Sequence, residues 1–116
     1  MKIVRLAGHE DLPDPSYQTS GSAGVDLHAA ITEPLSVTAG QITLVPTGVK
    51  LAIPRGFEGQ VRPRSGWARR GLTVVNAPGT IDSDYRGEIQ VLLTCLASEP
   101  CVIQRGDRVA QIVFSP

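Results

Sequence analysis

Three carboxylates, an amide and a phenol fall within the thirteen residues Asn76-Ala77-Pro78-Gly79-Thr80-Ile81-Asp82-Ser83-Asp84-Tyr85-Arg86-Gly87-Glu88. Carboxylates this close together can take a proton from an attacking water or hold the waters of a metal ion. Ile81, set between polar neighbours, points to an ordered, half-buried, hairpin-like loop rather than a solvated acidic turn. A second run, Pro63-Arg64-Ser65-Gly66-Trp67-Ala68-Arg69, puts a guanidinium, a hydroxyl and a glycine ahead of a short stretch of helix formers. Arg and Ser donate hydrogen bonds to oxyanions, and Gly permits close backbone approach. Taken alone, the run reads equally well as a helix cap beside a solvated arginine. Two shorter runs are weaker signals. Ser22-Ala23-Gly24-Val25-Asp26-Leu27 sets Asp26 at the entry to a strand, where an Asp bonding its own turn is the ordinary explanation. Gly106-Asp107-Arg108-Val109-Ala110-Gln111 reads as a turn followed by a strand.

The elements that must position these residues are short. Twelve Gly and nine Pro are spread along the chain and leave little room for long helices. Between them lie runs rich in β-branched residues: Lys2–Leu6, Gly24–Ala29, Gln41–Val45, Val49–Ile53, Thr73–Asn76, Glu88–Leu96, Cys101–Gln104 and Arg108–Phe114. Lys50-Leu51-Ala52-Ile53 and Gln60-Val61-Arg62 alternate in and out, whereas Val91-Leu92-Leu93 is apolar throughout and suits a strand buried on both faces. Many short strands at close spacing predict a sandwich, jelly roll or barrel. One helix of one to two turns is predicted over Ser65–Gly71, with Ser65 as cap and Gly71 as stop; its first N–H groups suit a phosphate.

The length, 116 residues, fits one domain, 1–116, without repeat or linker. Apolar residues make up 41% and aromatics only 4%, so the core must be built from Val, Ile, Leu and Ala. Eleven basic residues balance eleven acidic ones, which argues against a broad nucleic-acid surface but leaves room for a local anion site. Cys95 and Cys101 have neither CxxC nor zinc spacing and read as buried free thiols. No leader-like or long apolar stretch is seen, and the expectation is a soluble, cytoplasmic protein with no membrane partner.

Taken together and in order, the four runs resemble the first four signature motifs of the trimeric dUTPases, from about Ala23 to Phe114. The third run carries most of the resemblance, because many fixed residue types fall at fixed offsets. The resemblance implies an all-β fold, a jelly-roll-like distorted barrel of the dUTPase type with one short helix. It implies hydrolysis of dUTP to dUMP and pyrophosphate at the α-phosphorus, which keeps uracil out of DNA and supplies dUMP for thymidylate synthesis. It assigns Asp82 to activation of the attacking water. Asn76, Gly79, Thr80, Ile81 and Tyr85 fall to the nucleoside, with Tyr85 beneath the deoxyribose. Arg64, Ser65, Gly66 and Gln111 fall to the phosphates, and Asp26 and Arg108 to support of the site.

The cofactor so implied is Mg²⁺, with no direct protein ligand, held mainly by substrate phosphates and waters; this suits an ion that gives up its waters reluctantly. The implied assembly is a homotrimer whose active sites are shared between chains. Two departures stand out. The family's fifth motif, a Gly-rich C-terminal segment with an Arg that closes over the nucleotide, has no counterpart before Pro116. Trp67 stands where a smaller aliphatic residue is usual, and is expected to be partly packed against a neighbour. Two other readings fit the same scaffold: a non-catalytic nucleotide-binding module, and a dCTP deaminase, against which the run Ile81-Asp82-Ser83-Asp84-Tyr85 speaks.

Overall fold

The computed structural model describes all 116 residues, as ten strands and one helical turn. Strands β1 (Lys2–Arg5), β4 (Thr43–Ala52), β8 (Glu88–Cys95) and β6 (Leu72–Val74) form one antiparallel sheet in the order β1-β4-β8-β6. A second antiparallel sheet has the order β2-β10-β5-β7, from β2 (Gly24–His28), β10 (Arg108–Ser115), β5 (Glu58–Arg62) and β7 (Gly79–Ile81). The two remaining strands, β3 (Leu35–Val37) and β9 (Cys101–Ile103), pair with each other. The helix, α1, is Ser65–Ala68. No helix is long and apolar enough to cross a membrane.

Burial follows the pleat. In β8, Ile89, Val91, Leu93 and Cys95 point inward, while Gln90, Leu92 and Thr94 alternate outward. These inward residues meet Val45, Val49 and Leu51 of β4, Leu72 and Val74 of β6, and Val25, Leu27, Val61 and Ile112 of the second sheet, in one core cluster. The core is therefore aliphatic, as the scarcity of aromatics requires. Cys95 and Cys101 are free and buried within it, with their sulfurs 3.0 Å apart. Burial, then the neighbouring Cys95 thiol, pushes Cys101 up to about 11.

The expected jelly-roll-like distorted barrel is present, as two four-stranded sheets and a two-stranded one without a closed ring of strands. Other expectations change in detail. Gln41–Val45 and Val49–Ile53 are parts of one ten-residue strand, whose pairing with β8 shifts register between Pro46 and Lys50. Leu92 is only half-buried, so β8 alternates and is not covered on both faces. The segment Asn76–Glu88 does not pair with itself as a hairpin: β7 pairs with β5, and the chain then crosses to β8 in the other sheet. The helix is shorter than Ser65–Gly71. Arg64, not Ser65, occupies its capping position, without a side-chain cap bond. The predicted stop holds, because Gly71 has φ +102° and its position packs against Ala97.

Candidate active site

The outer face of the second sheet carries the first cluster. Asp26 lies between the core residues Val25 and Leu27 and so points to the opposite face, where it is nonetheless buried. Gln111 is its direct cross-strand partner and Arg108 is opposite His28. Residues three apart on a regular strand face opposite ways. The register shift between Arg108 and Ala110 removes that conflict, buries Val109 and Ala110 in succession, and brings Arg108 and Gln111 to the face shared with Asp26. On the other side, Gln111 pairs with Arg62, and its Nε2 donates to the Pro63 carbonyl at 3.0 Å. A Cβ on Gly24 would overlap the Gln111 amide, so this glycine makes room for that side chain.

Arg64 follows β5 in extended backbone and turns its guanidinium onto Asp26, forming an ion pair through Nη1 and Oδ1. The second carboxylate oxygen, Oδ2, lies 3.6 Å from Arg108 Nη1 and has no hydrogen-bond partner. Asp26 thus anchors one guanidinium and attracts another. His28, buried on the same face, is held below the usual imidazole range by its burial and then by the charges of Arg108 and Arg5. Its neutral form leaves the excess positive charge here to the arginines.

The cluster opens into a cavity of about 380 Å³ lined by Arg64, Gly66, Trp67, Arg70 and Arg108. Three guanidinium groups against one carboxylate give it an excess of positive charge, which suits a multiply charged anion. Gly66 lines it in open space, where a Cβ would meet nothing, and Ser65 beside it in the chain is exposed. Trp67 is partly buried against the core, as expected, and carries Arg70 over its ring at 4.2 Å. Arg70 escaped the sequence reading; its only signal was the spacing of three from Trp67 across one helical turn. A neighbouring cavity of about 440 Å³ is lined by Arg62, Pro63, Ala77, Pro78 and Gln111.

The third run begins beside that second cavity, through Ala77 and Pro78, and carries its acidic turn away from it. Asn76 is exposed, with its amide packed near Gly79. Gly79, Thr80 and Ile81 pair with Val61, Gln60 and Gly59. Beyond them Asp82 is exposed, and its carbonyl accepts from Tyr85 N at 3.1 Å in a turn. Tyr85 is partly open to solvent, and its hydroxyl donates to the Glu88 carbonyl at 2.8 Å. A Cβ on Gly87 would lie 2.6 Å from that hydroxyl, so Gly87 is the residue that lets the ring settle there. The Asp82 turn does not meet the arginine cleft. Ile81 is level with Gly59, at the opposite end of β5 from Arg64, so the two are on the order of 20 Å apart at about 3.3 Å per residue. One chain therefore holds Asp26, Arg64, Arg108 and Gln111 together, and keeps Asp82 and Tyr85 apart from them.

A family model described as dUTPase matches residues 10–116. The deoxyuridine 5'-triphosphate nucleotidohydrolase of Aquifex aeolicus (strain VF5) is 57% identical over 117 residues, covering all of this chain and 78% of that protein. Among solved structures, the dUTPase from Streptococcus mutans superposes with a TM-score of 0.84 at 33% identity, over all of this chain and 95% of its own. A mutant dUTPase from phage phi11 of S. aureus, whose structure concerns the coordination of a structural Mg(II) ion, has a TM-score of 0.84 and covers 99% of this chain and 89% of its own. At 22% identity the phage protein is a likeness of fold alone.

Proposed function

This chain belongs to the dUTPase family, and from that premise we propose that it hydrolyses dUTP to dUMP and pyrophosphate at a site assembled from more than one copy of the chain. The observation that carries the shared site is the distance between the arginine cleft and the Asp82 turn. A chain of three phosphates seated in the cleft against Arg64 cannot reach Asp82 of the same chain. A neighbouring copy that docks its Asp82–Tyr85 turn over the cleft supplies what is lacking. A ring of three such copies satisfies every chain, because each gives a turn and receives one.

In the assembled site, Asp82 accepts a proton from the water that attacks the α-phosphorus, and the bond to the pyrophosphate oxygen breaks. Arg64, Ser65, Gly66 and Gln111 hold the phosphates and stabilise charge on the leaving group. Asp26 fixes the Arg64 fork, and Arg108 shares the same carboxylate. Asn76 and the backbone of Gly79, Thr80 and Ile81 read the uracil edge, and Tyr85 lies against the deoxyribose. Removal of dUTP keeps uracil out of DNA, and the dUMP formed is the precursor of thymidylate.

The residues present fit a magnesium ion held by the substrate rather than by the chain. The orphaned Oδ2 of Asp26 would accept from a water of such an ion, beside the place where the phosphates would lie. When bound, the ion spreads the triphosphate charge and orients the reacting phosphate.

Product analysis tests the activity. Incubation with dUTP should release pyrophosphate and dUMP in equal amounts, and incubation with dCTP should release no ammonia; ammonia without pyrophosphate would assign the chain to deamination. Sugar selectivity should reside in Tyr85. Tyr85→Ala is expected to narrow the preference for dUTP over UTP by roughly ten- to two-hundredfold, the range one steric contact supplies. A mutant ratio of kcat/KM values equal to that of the wild type would place discrimination elsewhere.

A further inference from the structure

We propose that Arg70, held on the face of Trp67, is a further phosphate-binding group, and that it engages the end of the polyphosphate remote from Asp26 and Gln111. The inference rests on the triphosphate substrate proposed above and adds a residue to its recognition. Three guanidiniums line the cleft, and they are not equivalent. Arg64 is paired with Asp26, and Arg108 faces the same carboxylate. The Arg70 backbone bonds to Trp67 and accepts from the Cys101 thiol, but its guanidinium has neither a carboxylate nor a hydrogen-bond partner, and lies over the ring of Trp67. A guanidinium stacked on an aromatic face keeps its N–H edge available while losing much of its rotamer freedom before any ligand arrives. That is the arrangement of a preorganised fork for an oxyanion rather than of a solvated surface charge.

The direction follows from the helix. Arg64 precedes α1 and Arg70 lies just past its end, so the turn separates the two guanidinium stems across the cavity. A phosphate held at Arg64 and Gln111 is near Asp26, and a chain of phosphates running away from it along the cavity comes under Arg70. A nucleoside monophosphate is too short to do so. Arg70 therefore distinguishes the triphosphate from the dUMP product, and Trp67 acts as its positioning residue. The ring of Trp67 thus has a role beyond filling space.

The test compares binding of three probes by calorimetry: the α,β-imido analogue of dUTP, inorganic tripolyphosphate and dUMP. Arg70→Gln is expected to weaken the first two about tenfold, the value of one charge-assisted hydrogen bond, and to leave dUMP within about twofold. Trp67→Leu, which keeps Arg70 but removes the ring, should weaken the same two probes about threefold, and Trp67→Tyr should restore them. Trp67 is the only tryptophan in the chain, so its emission in the wild-type protein should change with tripolyphosphate and stay constant with dUMP. Unchanged affinity of Arg70→Gln for tripolyphosphate overturns the assignment, as does an equal loss for dUMP. If tripolyphosphate binding depends on Arg70 while the wild type releases no pyrophosphate from dUTP, the hydrolase reading fails and the polyphosphate contact stands.

Discussion

Asp82→Asn should bind the α,β-imido analogue of dUTP about as well as the wild type and hydrolyse dUTP about a hundredfold to ten-thousandfold more slowly. The amide keeps the shape and the polarity of the carboxylate but cannot take a proton from water. Little else should change, because the Asp82 side chain is exposed and makes no hydrogen bond or ion pair. The turn itself is held by the backbone bond from Tyr85 N to the Asp82 carbonyl, which the substitution leaves in place. Single-turnover kinetics isolate the chemical step from product release. Turnover near that of the wild type, with the same pH dependence, would mean that another group accepts the proton.

The second large effect is on stability. Arg64→Met should destabilise the fold by about 3 kcal/mol, at the low end for breaking a buried ion pair because the Arg64 side chain is 32% exposed while that of Asp26 is 3% exposed. What remains is a buried carboxylate attracted only by Arg108, 3.6 Å away and half-exposed, with one oxygen already lacking a hydrogen-bond partner. The loss should appear as a lower urea midpoint with an unchanged slope. Adding Asp26→Asn to Arg64→Met should recover part of it, since a neutral amide is far less costly to bury than an unpaired charge. Phosphate affinity should not recover, because the guanidinium is still missing. An unaltered midpoint in Arg64→Met would show that Asp26 does not depend on this arginine.

Much of this was readable in the chain itself, where side chains signal their surroundings. The β-branched runs around Val25, Val91 and Ile112 become core strands because the alternation of apolar residues leaves few other ways to bury them. The failures have physical causes. β7 is hidden because Gly79-Thr80-Ile81 has too few apolar side chains to announce a strand, and its partner β5 holds Gly59 where a Cβ would press on the ends of Ile112 and Ile53. Leu92 belongs to an apolar run but lies on the half-buried outer face of β8, and run composition cannot separate the two faces. In the candidate site, Asp26, Arg64, Arg108 and Gln111 were named as residues, but their juxtaposition depends on a register shift after Arg108 that no local pattern specifies. Arg70 was missed because a lone exposed arginine becomes informative only when its ring partner and its cleft are seen together.

The central claim is that Asp82 and Arg64 act on one nucleotide from different chains, and mixing of two inactive proteins tests it most directly. One carries Asp82→Asn. The other carries Arg64→Lys with Ser65→Ala, which keeps a positive charge beside Asp26 and so protects the fold while removing the phosphate fork. Subunits are exchanged by mild denaturation and refolding, and exchange is verified by native mass spectrometry with one protein isotopically labelled. At equal proportions, about a quarter of the sites should pair the intact turn of one chain with the intact cleft of another, and dUTP hydrolysis should return to about that fraction of the wild-type rate. Verified mixed oligomers without any gain over the two parents would contradict the shared site and put Asp82 and Arg64 of the same chain on the same substrate.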